Sequence, residues 1–123
     1  MRTRTYMLIA LLLMLASVGY FLWSELSTAG TCGFPLDDSW IHAQFARNIA
    51  LSNGFSYNPG VPVSGSTAPL WTLLTAVGYL ITGDPVLATK VLGVLFLGLT
   101  VFFMYTLVQT ISNDPRQALF AAA

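Results

Sequence analysis

"YMLIALLLMLASVGYFLW", residues 6–23, runs for 18 positions without a charge. A helix needs about 20 apolar residues to cross the roughly 30 Å hydrocarbon core of a bilayer, so this run predicts a membrane-spanning helix. Arg2 and Arg4 precede it and Glu25 follows it. Basic residues are retained on the cytoplasmic side, which predicts an inside N-terminus. Tyr20 and Trp23 then fall at the far interface, where amphipathic rings settle. A cleaved signal peptide is the competing reading, with "LSTAG" (26–30) as its cleavage region. The apolar core of a signal peptide is usually shorter, about 7–15 residues, so an uncleaved anchor is preferred. "AGTC" (29–32) also lacks the leucine expected of a lipoprotein signal.

Composition agrees with the membrane assignment. The 123 residues are 55% hydrophobic and 8% charged, whereas about a quarter of a soluble domain is charged. Mean hydropathy is +0.70. Five Lys and Arg balance five Asp and Glu. The basic residues are scattered, so no stripe exists that would follow a phosphate backbone, and nucleic acid is not an expected partner. The single cysteine, Cys32, has no partner for an internal disulfide, and its neighbours Gly30, Thr31 and Gly33 supply no activating base. The closing stretch, residues 117–123, is the opening of a third apolar segment. It predicts that these residues are the N-terminal part of a longer protein.

Working outward from the first span, residues 24–85 form an outer loop that holds nearly all the informative polarity. "FPLDDSWIHAQFARN" (34–48) begins a helix expected near 38–51, since Ile41, Phe45 and Ile49 recur at the spacing of one helical stripe. Asp37 and Asp38 lie at its start, where carboxylates meet free amides and the positive end of the macrodipole. Asn53-Gly54 supplies the expected stop. The helix is too short and polar to span, so it should lie along the membrane surface. Asn58-Pro59-Gly60, Pro62 and Gly65 then mark turns. A second apolar helix is expected near 68–82, with a Ser66/Thr67 cap and Pro69 in its first turn. At about 22 Å it falls short of the core thickness, which favours an interfacial or re-entrant helix over a span. Residues 86–111 are long enough to cross. If 68–82 does not span, they run inward and Asn113 to Arg116 form a cytoplasmic turn; if it does, that turn is outside. The fold class expected is therefore an all-α membrane protein.

The acidic pair is the leading candidate for chemistry. Adjacent carboxylates raise one another's pKa by like-charge repulsion, and a carboxylate tuned in this way can take a proton from a hydroxyl. Asp38 and His42 lie within about 40° on the helical wheel, one turn apart. Asp37, Gln44 and Asn48 form a neighbouring polar stripe, and Arg47 points to the opposite side, able to meet a phosphate. Each residue also has a plainer role. The aspartates serve as caps and dipole partners, His42 as a surface residue or a partner of Asp38, and Arg47 as a contact for lipid headgroups. Trp40 and Trp71 serve as interfacial anchors. "GST" (65–67) is a better helix cap than phosphate cradle. No metal site is expected from Asp-x-x-x-His alone, although a divalent cation held by carboxylates and water stays open.

"PLDDSWIHAQFARNIALSNGFSYNPGVPVSGSTAPLWTLLTA" (35–76), following a single N-terminal span, resembles the start of a polytopic GT-C class membrane glycosyltransferase. It is most similar to the bacterial branch of arabinofuranosyl- and mannosyltransferase-like proteins. The matching features are Asp37-Asp38, Phe45-Ala46-Arg47-Asn48, Gly54, Asn58-Pro59-Gly60 and Ser64 to Trp71. The likeness covers about residues 6–120, and its specific part is 35–71. It implies transfer of a sugar from a polyprenyl-phosphate carrier to a glycan, lipid or protein acceptor on the outer face, with inversion at the anomeric carbon. It also implies that Asp38 or Asp37 is the catalytic carboxylate, without deciding which. His42, Gln44, Arg47 and Ser66 are the expected substrate-binding residues; no cofactor is assigned, and a divalent cation stays open. Family members carry many more spans, so these residues alone are expected to be inactive. The contrasting expectation is a non-enzymatic membrane subunit or transporter segment whose loop helix binds lipid or a partner.

Overall fold

In the computed structural model, which describes residues 2–123, the chain folds into helices, with no strand among those residues. The helices are α1 (Arg2–Ala29), α2 (Asp37–Ala50), α3 (Pro69–Thr82), α4 (Pro85–Ser112) and α5 (Pro115–Ala122). α1 and α4 are long and apolar enough to cross a membrane. Both extend beyond the apolar runs that predict them, because hydropathy marks only the hydrocarbon-matched part of a helix that continues into the interface. Only 6% and 11% of their apolar windows are buried, the reverse of the core helix of a soluble protein. Leu8, Leu12, Leu15 and Phe21 of α1 and Leu95, Phe103 and Leu107 of α4 all face outward. α3 has 14 residues, about 21 Å of helix, and does not reach across the core.

The chain divides into two compact units, Met1–Thr31 with Val94–Ala123, and Cys32–Gly93. In the first, α1 and the second half of α4 run antiparallel. The Tyr105 hydroxyl donates to the Thr3 carbonyl at 2.8 Å, and a Cβ on Gly98 would stand 3.8 Å from the Met14 sulfur. Tyr105 is fully buried. Between the helices near this end is a cavity of about 490 Å³ lined by Arg4, Met7, Phe102, Tyr105 and Gln109. α5 packs on α1 with Ala118 buried. This third apolar helix starts at Pro115, two residues before the expected 117. Asp114 caps it by accepting from the Arg116 amide at 2.9 Å, and Pro115 occupies a first-turn position that needs no donor.

The connections at the two ends of α4 have one design. In Thr82-Gly83-Asp84-Pro85 and in Ser112-Asn113-Asp114-Pro115, the residue before the aspartate has positive φ, 71° at Gly83 and 53° at Asn113. The aspartate carboxylate accepts from an amide two residues on, Val86 at 2.7 Å and Arg116 at 2.9 Å. The leading hydroxyl bonds back to the carbonyl four residues earlier, Gly78 at 3.0 Å and Val108 at 2.8 Å. It also accepts from the aspartate amide at 3.2 Å in both. One helix is closed and the next opened within four residues, with the orphaned end groups satisfied.

In the second unit α2 packs on α3, and a short hairpin covers α2. The buried residues of the pair are Ala43, Phe45, Ala46 and Asn48 on α2 and Thr72, Thr75 and Ala76 on α3. Of the expected Ile41–Phe45–Ile49 stripe, Phe45 is buried and the two isoleucines are half-buried. Small residues let the helices approach closely, and α3 turns its small and polar face to α2. Its long aliphatic residues Leu70, Leu73, Val77, Leu80 and Ile81 stay exposed. α3 also meets the first turns of α4, where a Cβ on Gly78 would lie 3.0 Å from that of Ala88.

The end of α2 departs from the expected Asn53-Gly54 stop. Leu51 is the C-cap, and the left-handed position is Ser52, at φ 62°. The Ser52 amide donates to the Ile49 carbonyl at 3.0 Å and the Asn53 amide to the Asn48 carbonyl at 2.8 Å, the paired bonds of a Schellman ending. A side chain in that conformation costs about 1 kcal/mol. Ser52→Gly is therefore expected to raise the melting temperature of the detergent-solubilised chain, by about 0.5 kcal/mol in stability after the glycine's larger unfolded-state entropy is counted. A lower melting temperature would contradict the assigned ending.

Candidate functional site

The acidic pair opens α2. Leu36 is the N-cap, in extended conformation and without a side-chain cap bond, so Asp37 and Asp38 occupy the first turn proper. They complement the macrodipole, and the capping role is not realised. Both are exposed, and neither makes a hydrogen bond or ion pair with another described residue. The lead-in holds them in place. The Phe34 ring meets Trp40 edge-on, with centroids 4.9 Å apart, and the Trp40 indole N–H donates to the Phe34 carbonyl at 3.3 Å. A Cβ on Gly33 would come within 3.3 Å of the same indole, so the chain folds tightly over Trp40 just before the carboxylates.

His42 is one turn along α2 and half-buried. It does not pair with Asp38. Its Nδ1 lies 3.0 Å from Ser66 Oγ and 3.3 Å from Thr72 Oγ1. The two hydroxyl oxygens are 2.8 Å apart, and Thr72 donates to the Ala68 carbonyl at 3.1 Å. Ser66 is accordingly not the cap of α3. Ala68 holds that position, with no side-chain cap bond, and the Ser66 hydroxyl is committed to His42 and Thr72. "GST" thus has a packing reason in place of a phosphate-cradling one. A Cβ on Gly65 would stand 3.1 Å from the Phe45 ring, so the loop passes close to α2 just before Ser66.

Gln44 and Asn48 anchor the hairpin. Asn48 Nδ2 donates to the carbonyls of Ser56 at 2.9 Å and Tyr57 at 2.7 Å, and Gln44 Nε2 donates to Tyr57 at 3.1 Å. Asn48 is 2% exposed, so it belongs to the packed interior and not to a surface polar stripe. Asn58-Pro59-Gly60 makes the turn, with Gly60 at φ 76° and the Val61 amide donating to Asn58 at 3.1 Å. Proline followed by a left-handed glycine is the type II pattern. Ser56 and Pro62 bridge across it, and Phe45 packs against Phe55 at 4.9 Å between centroids.

Arg47 is exposed in the last turn of α2. It lies about 13 Å along the helix from Asp38 and on the opposite side. The structure therefore brings His42 and Ser66 together, keeps Asp37 and Asp38 on the same helix end as His42, ties Gln44 to the hairpin, and leaves Arg47 apart. Thr72 is the member that sequence reasoning missed. Its signal was Thr72, Thr75 and Ala76 interrupting one face of an otherwise aliphatic helix. The Thr75 hydroxyl, also buried, has no partner among the described residues. No three His, Cys, Asp or Glu side chains converge among those residues, so a divalent cation here would rest on the acidic pair and water.

No protein-family model matches the chain, and no curated protein and no solved structure matches it.

Proposed function

We propose that the chain belongs to a membrane glycosyltransferase that moves a sugar from a polyprenyl-phosphate carrier to a hydroxyl on the outer face, with Asp37 or Asp38 as general base. The observation that carries this reading is the unpartnered, exposed carboxylate pair at the start of an amphipathic helix, in the segment between two helices long and apolar enough to cross a membrane. The topology runs as follows. Arg2 and Arg4 keep the N-terminus inside, α1 crosses, and Cys32 to Asp84 follow on the outer side. α4 returns, which agrees with its antiparallel pairing to α1 through Tyr105 and Thr3. The exposed aliphatic row of α3 suits the acyl side of the interface, with Trp40 and Trp71 at headgroup level.

At that height the chemistry is undemanding. The attacking hydroxyl oxygen forms a bond to the anomeric carbon, and its proton passes to an aspartate. The bond from that carbon to the carrier phosphate breaks, and polyprenyl phosphate leaves with the electron pair. A lipid phosphate is already a competent leaving group, so the protein's main task is deprotonation and orientation of the nucleophile. Membranes containing the full gene product, supplied with a radiolabelled polyprenyl-phosphate sugar, are expected to glycosylate an outer-face acceptor. No transfer above that of membranes lacking the protein, at matched expression, would reject this function.

A further inference from the structure

His42 is the only histidine in the sequence, and its ring is held from one side. Nδ1 faces the Ser66 and Thr72 hydroxyls at 3.0 and 3.3 Å, while Nε2 has no partner among the described residues. The direction of the hydrogen bonds follows from counting protons. Thr72 is 0% exposed, and its hydroxyl reaches the Ala68 carbonyl at 3.1 Å. With that proton so used, the Thr72 oxygen accepts the Ser66 proton across 2.8 Å. The Ser66 oxygen then accepts a proton from Nδ1. Three protons find three acceptors. If Nδ1 instead accepts from Ser66, the two hydroxyl protons cannot make all three bonds: either Thr72 turns to Ser66 and the bond to Ala68 is lost, or it keeps Ala68 and the two hydroxyl oxygens, 2.8 Å apart, share no proton. A buried hydroxyl is where losing a hydrogen bond costs most.

Resting on the glycosyltransferase reading above for its substrate, we propose that Ser66 and Thr72 are positioning residues that hold His42 as the Nδ1–H tautomer, so that its Nε2 lone pair binds a hydroxyl of the sugar-receiving substrate. In free neutral histidine the proton prefers Nε2, so the relay selects the less common form. The ring nitrogen opposite a fixed hydrogen bond is the one left for function. Asp38 and His42 lie within about 40° of each other, one turn apart. A polyol meeting that helix end finds two acceptors. The carboxylate takes the proton of the reacting hydroxyl, and Nε2 receives a hydrogen bond from a neighbouring one and so orients the sugar ring. Ser66 comes from the loop before α3, Thr72 from α3 and His42 from α2. Two helices and a loop thus fix one imidazole.

Because there is one histidine, the test is direct. The full chain is labelled with 15N-histidine, and its ring nitrogens are recorded by NMR in detergent micelles at alkaline pH, where the ring is neutral. The wild-type spectrum is expected to show a protonated Nδ1 and an unprotonated Nε2. Ser66→Ala and Thr72→Val should move it toward Nε2–H, and Thr72→Ser should preserve it. A wild-type ring protonated at Nε2 overturns the relay. In the transfer assay His42→Asn, whose amide reaches only the Nδ1 position, should raise the KM for the hydroxyl substrate about tenfold, the worth of one hydrogen bond. His42→Gln, whose amide reaches the Nε2 position, should raise it clearly less. Equal losses, or a better Asn variant, would mean that the ring is held for packing alone and would overturn the binding role. A wild-type protein that transfers no sugar overturns the substrate named for Nε2 together with the function above, while the tautomer spectrum separately decides the relay.

Discussion

Replacing both Asp37 and Asp38 by asparagine is expected to lower sugar transfer by about 10²–10⁴-fold, the usual contribution of a positioned general base. Asparagine keeps the shape and hydrogen-bonding reach of aspartate but has no basic lone pair of useful strength. Folding should be little affected. Both carboxylates are exposed and unpartnered, so their stabilising role is limited to the macrodipole of α2, about 0.3–1 kcal/mol each at most. A loss of rate at unchanged expression and melting temperature therefore reports chemistry. The single variants separate the two residues. The base is the aspartate whose replacement lowers kcat nearly as far as the double change, and the other should show a smaller loss. Full turnover in the double variant would remove the acidic pair from the mechanism.

The largest loss of stability is expected at Asn48, not at any candidate catalytic residue. Its amide is 2% exposed and donates to two carbonyls, at 2.9 and 2.7 Å, holding the hairpin against α2. Asn48→Ala leaves the Ser56 and Tyr57 carbonyls without that donor and opens a void, at a cost of about 2–4 kcal/mol. Asn48→Asp should be at least as severe, because an oxygen then faces two carbonyl oxygens at hydrogen-bond distance. Gln44→Ala should cost much less, since its bond to Tyr57 is exposed and Asn48 already donates to the same carbonyl. The two losses should also be non-additive for that reason. The measurement is thermal unfolding of the detergent-solubilised chain, with proteolysis between residues 51 and 67 as a local readout. An Asn48→Asp chain that melts like wild type and resists cleavage would show that the hairpin is not held this way.

Where sequence sufficed, a local rule applied. The two long apolar helices follow from apolar length, the Asn58-Pro59-Gly60 turn from proline before a left-handed glycine, and the interruption after α3 from Gly83-Asp84-Pro85. Where it fell short, the outcome depended on which distant group reached a side chain first. Ser66 reads as a helix cap because hydroxyls before a proline-led helix commonly serve as one. Gly65 instead lets the loop pass close to Phe45, and the hydroxyl goes to His42. Asn48 reads as surface polarity because nothing local says that two carbonyls eight and nine residues later will need a donor. The helix closes a residue or two before Asn53-Gly54, since Ser52 accepts the strained conformation that glycine would take without cost.

Sequence alone determined the two helices long and apolar enough to cross a membrane, the polar segment between them and the acidic pair at a helix start, because these depend on apolar length and near-neighbour spacing. Only the tertiary structure decided the partner of the single histidine. Local geometry offered Asp38, one turn away. The packing of α2 on α3 brought Ser66 and Thr72, 24 and 30 residues distant, to its inner nitrogen. A buried hydroxyl must find a hydrogen-bond partner, whereas an exposed carboxylate is already satisfied by water, and that difference gave the ring to the hydroxyls.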